Sequence, residues 1–70
     1  MGGFGARFKE CRIAVGLSQT DAAQAAGVHQ TAISMYELDK RVPTADVIIK
    51  MALAYGVSID YLLGLTDVRE

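Results

Sequence analysis

Apolar or small side chains at Phe4, Phe8, Cys11 and Val15 recur at intervals of four, three and four residues, the signature of one helix face. The pattern predicts a first helix over residues 4–15, stopped by Gly16. Ser18 is placed to cap a second helix, and Asp21, three residues on, completes a weak capping box. That helix spans about Gln19 to Ala26 and ends at Gly27. Its alanines at 22, 23, 25 and 26 favour helix and let a neighbouring helix approach closely. A third helix runs from His29 to about Leu38, with Ile33, Tyr36 and Glu37 turned inward and Gln30, Thr31, Ser34 and Met35 on its other faces.

The charged, proline-terminated stretch Asp39-Lys40-Arg41-Val42-Pro43 reads as an ordered loop. Thr44 then caps a fourth helix, Ala45 to about Tyr55, carrying Ile48, Ile49, Met51, Ala52 and Tyr55 and ending at Gly56. Ser58 starts a short fifth helix through Leu63, closed by Gly64. The expected fold class is all-α, a compact five-helix bundle forming a single domain over residues 1–70. The connections leave no room for a strand pair.

Composition narrows the function. The chain is 51% hydrophobic with one proline, a profile that folds. Charged residues interrupt every apolar run well before the ~20 residues a membrane span needs, and no signal peptide is visible, so the expected location is cytoplasmic. A single cysteine, Cys11, forms no internal disulfide and reads as a buried thiol. Cys11 and His29 together do not supply a metal site. Neither a cofactor nor a small-molecule ligand is expected. The same scarcity of nucleophiles, bases and paired carboxylates argues against an enzyme.

The informative stretch is Gln19 to Glu37: a helix, a three-residue turn centred on Gly27, and a second helix. Ala23 is small where the helices cross, Gly27 supplies positive φ, and Ile33 fills the space between them. These constraints locate a helix-turn-helix. In addition, Gly16-Leu17-Ser18-Gln19, Ala22-Ala23, Gly27-Val28, Ile33-Ser34, Tyr36-Glu37, Lys40, Pro43 and the run Ala54 to Gly64 closely resemble the Cro and lambda-repressor-like (XRE-type) family. The resemblance covers about residues 8–67. It implies a five-helix domain that docks its third helix in the major groove of double-stranded DNA, usually as a homodimer on a pseudo-palindromic operator.

Carried over residue by residue, the resemblance makes Gln19 a phosphate contact at a helix start and places His29, Gln30, Thr31 and Ser34 where base-reading side chains lie. Gln30 also has a mechanism of its own, since a glutamine pairs with adenine N6 and N7 in bidentate fashion. His29 stands where the family usually has a capping Ser or Thr. Lys40 and Arg41 match the loop that grips the backbone, although the neighbouring Asp39 replaces a common glycine and makes the loop less basic. Arg12 and Glu37 match a structural salt bridge across the core, which takes Arg12 out of DNA reading. Dimer contacts are implied on the fourth and fifth helices, where Val47 and Leu53 are apolar at positions the family keeps polar; Val57 lies in the same segment, although core filling explains most of its apolar character.

One feature opposes a nucleic-acid partner: the net charge is −1, with seven Lys and Arg against eight Asp and Glu. Phosphate neutralisation supplies most non-specific affinity for DNA, so only a local basic patch can serve. The competing reading is a protein-interaction module or antitoxin-like accessory regulator on the same fold, with Val47 and Leu53 as its surface.

Overall fold

The computed structural model describes residues 3–68. Five helices follow in order: α1 Gly5–Ala14, α2 Gln19–Ala26, α3 Gln30–Glu37, α4 Ala45–Tyr55 and α5 Ile59–Leu62. No strand occurs among the described residues. The second helix is the hub, packed against α3 on one side and α4 on the other, while α1 lies across α3 and α5 closes against α4 and α1.

Local chemistry explains where the helices begin. Ser18 Oγ accepts the Asp21 amide (3.0 Å) and Asp21 Oδ2 accepts the Ser18 amide (3.1 Å), a complete capping box. Thr44 and Ser58 accept the amides of Val47 and Tyr61 in the same way. At the far end of α2, Gly27 sits at φ 71°, and the Val28 amide returns to the Ala23 carbonyl (3.0 Å). That pattern of hydrogen bonds turns the chain directly into α3 and needs a residue without Cβ strain.

The core is one cluster built on Phe8, Cys11, Ile33, Met51, Tyr55 and Leu62, with the three alanines Ala22, Ala23 and Ala26 where helices approach closely. The first helix departs from its predicted face. Phe4 and Val15 occupy its flanking positions and stay 39% and 42% exposed. The buried line instead runs Gly5, Phe8, Cys11 and Arg12, so the inward position one turn beyond Phe8 is taken by a charge. Gly5 is required there, because a Cβ would overlap the Glu37 carbonyl at the end of α3. On α4 the predicted Ile49 also faces outward. Arg7 anchors α5: its guanidinium lies 4.1 Å over the Tyr61 ring and donates to the Tyr61 carbonyl (3.0 Å).

Tyr55 fills the centre of the cluster, and among the described residues its buried hydroxyl has no hydrogen-bond partner. Burial, reinforced by the nearby Glu37 charge, pushes its ionisation from 10.0 up to about 12. Below pH 10 the phenol is neutral in both folded and unfolded chains and its contribution is fully present; as pH rises from 10 towards 12 the unfolded chain ionises first, and that contribution is lost. Tyr55→Phe is expected to match or exceed the parent at neutral pH, because an uncompensated buried hydroxyl costs about 1–3 kcal/mol. It should also escape a loss on the order of 2 kcal/mol in the alkaline window. Urea titrations at pH 7 and pH 11 check both, and a variant clearly weaker at neutral pH would mean the hydroxyl is bonded.

Candidate nucleic-acid interface

The α2–turn–α3 unit sets the first turn of α3 on the surface. Ile33 is sealed against the alanines of α2, with Tyr36 and Glu37 buried beside it, so one side of α3 is committed to the core. The opposite side carries His29, Gln30 and Thr31, all exposed, with Ser34 half-buried one turn later. His29 is the N-cap, extended at φ −74° and ψ 151°, yet its side chain makes no capping hydrogen bond, in contrast to Ser18, Thr44 and Ser58. The helix that presents these side chains therefore starts without the bond that secures its neighbours.

Beneath this surface lies a chain of hydrogen bonds through three helices. Arg12 Nε donates to Glu37 Oε2 (2.7 Å) and Arg12 Nη2 to Glu37 Oε1 (3.0 Å), a bidentate pair out of water. Glu37 holds the Arg12 guanidinium above its ordinary ionisation range, chiefly through that hydrogen bond and against the opposing effect of burial. Arg12 Nη1 also donates to the Leu17 carbonyl (2.9 Å), fixing the chain that enters α2. Gln19 Nε2 donates to the same Glu37 Oε1 (3.1 Å), and Gln30 Nε2 donates to Gln19 Oε1 (2.7 Å).

The direction of this relay is dictated by chemistry. An ionised carboxylate only accepts, so Gln19 must face Glu37 with its NH2 group, which leaves its oxygen towards Gln30. Gln30 must in turn offer an N–H to that oxygen. What remains of the Gln30 amide is one N–H and the carbonyl oxygen, held at the exposed end of α3. The side chains of Gln19, Gln30, Arg12 and Glu37 are thus brought together, whereas Thr31 lies on a different edge of α3.

The loop after α3 holds Lys40 and Arg41, both exposed. Sequence reasoning treated Asp39 as a weakening of this loop's charge, and missed its structural part. Asp39 adopts φ 61°, the left-handed region that suits glycine, and the Lys40 amide returns to the Met35 carbonyl (2.9 Å). Asp39 Oδ1 accepts the Gly5 amide (2.9 Å), supplying from another element the cap that Phe4 does not give α1. The signal was a non-glycine residue at a turn position paired with glycines near the chain start. Glu37 is likewise paired inside the fold, while Asp21 and Asp39 bond to backbone amides and remain exposed, as do Lys40 and Arg41.

On the remaining surface, Val47 is half-buried and packed against the core, Val57 is only 9% exposed, and Leu53 is 78% exposed beside the exposed Ile49. Val57 is therefore corrected from a dimer-contact candidate to a core residue, because the turn after α4 folds it under α5. Among the described residues no group of His, Cys, Asp and Glu could hold a metal ion, and no helix is long and apolar enough to cross a membrane.

Comparison with known proteins agrees with this geometry. The helix-turn-helix family model matches residues 8–62. The chain is 41% identical over 66 residues to the HTH-type transcriptional regulator ImmR of Bacillus subtilis, covering 94% of this chain and 52% of ImmR. Among solved structures, it resembles the restriction-modification controller protein C.AhdI from Aeromonas hydrophila, with a TM-score of 0.80 and 32% identity, covering 84% of this chain and 89% of that one. It also resembles the P22 c2 repressor in complex with a synthetic operator, with a TM-score of 0.83 and 27% identity over 90% of this chain and 96% of that one. The chain belongs to the helix-turn-helix family of Cro and lambda-repressor-like, XRE-type proteins. It spans about half the length of ImmR.

Two stability measurements test the site's construction. Glu37→Ala strands the Arg12 charge and removes the acceptor of Gln19, and is expected to cost about 3–5 kcal/mol. An unchanged melting temperature would remove the pair from this account. His29→Ser restores a capping oxygen to α3 and is expected to raise stability by about 0.5–2 kcal/mol; no gain in thermal unfolding would mean that His29 already satisfies the helix start.

Proposed function

We propose that residues 1–70 form one helix-turn-helix domain that binds double-stranded DNA in a sequence-specific way and serves a transcriptional regulator, a repressor acting as a homodimer on a pseudo-palindromic operator. The observation that carries this reading is the Gln30 amide, tethered through Gln19 to the buried Arg12–Glu37 pair and left with one N–H and one oxygen at the exposed start of α3. Adenine offers N7 as acceptor and N6 as donor in the major groove, the complement of that remainder. In this reading Gln30, Thr31, Ser34 and His29 contact bases, and Gln19, Lys40 and Arg41 contact phosphates. The domain is a regulator and not an enzyme, and it works in the cytoplasm.

Support also comes from the operator bound by the P22 c2 repressor, a protein of the same fold. Of the acidic groups nearby, Glu37 is buried against Arg12, which lessens the objection raised by the net charge without cancelling the exposed Asp21 and Asp39. Leu53 and Ile49 are the surface we assign to contact with a second copy. The same two residues would serve the interaction-module reading, which the experiment separates.

Selection from a random duplex library, followed by titration of the selected site at two salt concentrations and sedimentation of the free protein, tests the proposal. A palindromic consensus with half-sites about one helical turn apart is expected. Gln30→Ala should lower discrimination at one base position by about 1–3 kcal/mol. Lys40→Ala and Arg41→Ala should each weaken binding to all sequences and reduce the slope of log K against log salt by about 0.9. Equal losses on every sequence for Gln30→Ala would sink its base-reading role, and the absence of any consensus would favour the interaction module.

A further inference from the structure

The amide of Gln30 can stand in two orientations related by a half-turn about its last side-chain bond, one with the NH2 group towards Gln19 and one with the oxygen. Shape alone does not separate them, because the two ends of an amide are nearly alike in size; hydrogen bonding does. Gln30 Nε2 donates to Gln19 Oε1 (2.7 Å), so the orientation of Gln30 follows that of Gln19. Gln19 Nε2 in turn donates to Glu37 Oε1 (3.1 Å), so Gln19 follows Glu37. Glu37 itself has no freedom. Its side chain is 3% exposed, and its two oxygens are taken by Arg12 Nε (2.7 Å) and Nη2 (3.0 Å), while Arg12 Nη1 is fixed by the Leu17 carbonyl (2.9 Å).

The two orientations of Gln30 meet a base edge differently. As observed, Gln30 retains an oxygen and an N–H that complement N6 and N7 of adenine. After a half-turn the NH2 group stands where the oxygen was and opposes the N6 amino group, whereas guanine carries the acceptor O6 at that place. Resting on the DNA-binding reading above, we infer that Glu37, a buried residue that touches no base, is a specificity-determining positioning residue. Through Gln19 it fixes the polarity of the Gln30 amide, and with it the preference for adenine over guanine. A side chain at position 37 that can donate as well as accept leaves both orientations of the relay open.

The test uses the full chain and the selected duplex, with A·T and G·C compared at the position where Gln30→Ala lowers discrimination. The parent is expected to favour A·T there by about 5- to 150-fold. Glu37→Gln keeps the volume but sets an NH2 group beside the oxygen, and should lose most of that factor. Gln19→Met cuts the relay while leaving the buried pair in place, and should lose it as well. A purely structural Glu37 would instead weaken binding to both duplexes alike. In the double variant the ratio should fall no further than in Gln19→Met alone, since the two residues act along one path. Melting temperatures are measured alongside, and titrations run where every variant is folded. A ratio unchanged in Glu37→Gln or in Gln19→Met overturns the assignment, as does a loss in Glu37→Gln that adds in full to that of Gln19→Met. If selection yields no consensus, or Gln30→Ala moves no position, the DNA-binding reading or its base reader falls and the assignment with it. A consensus that Gln30→Ala alters but neither relay variant moves sinks the assignment alone.

Discussion

Two opposite charges taken out of water are costly, and the Arg12–Glu37 pair offsets that cost only because each partner's hydrogen-bonding capacity is used. The guanidinium meets both carboxylate oxygens and the Leu17 carbonyl, and the carboxylate accepts a further bond from Gln19. An apolar pair of equal volume would fill the same space. It would leave nothing, however, to decide which way the Gln19 amide points or to restrain Gln30. The pair is thus a device for carrying fixed polarity from the centre of the bundle to its surface, and α1, α2 and α3 are all bound to it.

The other helices are secured by ordinary means, with capping oxygens at Ser18, Thr44 and Ser58 and a left-handed glycine after α2. The third helix is the exception, on the side that carries Gln30 and Thr31. His29 makes no capping hydrogen bond, and α3 is held in place by the relay from Gln19 and by burial of Ile33 and Tyr36. Stability is drawn from the inward side of the helix, so its outward side is free to be shaped by chemistry.

Much of this arrangement is legible along the chain. Cap residues, stop glycines and the inward trio Ile33, Tyr36 and Glu37 are local or periodic signals, and they locate α2 and α4 to the residue and the others to within a residue or two at their ends. Contacts that cross between distant segments are not legible in that way. The face of α1 was misjudged because helical spacing alone cannot tell that Arg12, and not Val15, has a buried partner on α3. Val57 stayed open between core filling and a dimer contact because an apolar residue after a stop glycine gives no sign of which side the next helix closes on. The hydrogen bond between Gln30 and Gln19 depends on how two helices cross, and Asp39 reaches back across the chain to Gly5, so neither leaves a pattern in the residues nearby.

The bond between Asp39 and the Gly5 amide closes a ring through α1, α2 and α3, joining the beginning of the fold to the loop that bears Lys40 and Arg41. Gly3 also comes up against the Asp39 carboxylate, which a side chain at that position would have to displace. A residue larger than glycine at position 3 would therefore press on the turn that carries two exposed cations. For anyone handling the protein, a substitution at position 3 is a perturbation of the basic loop and belongs among the controls of any binding experiment.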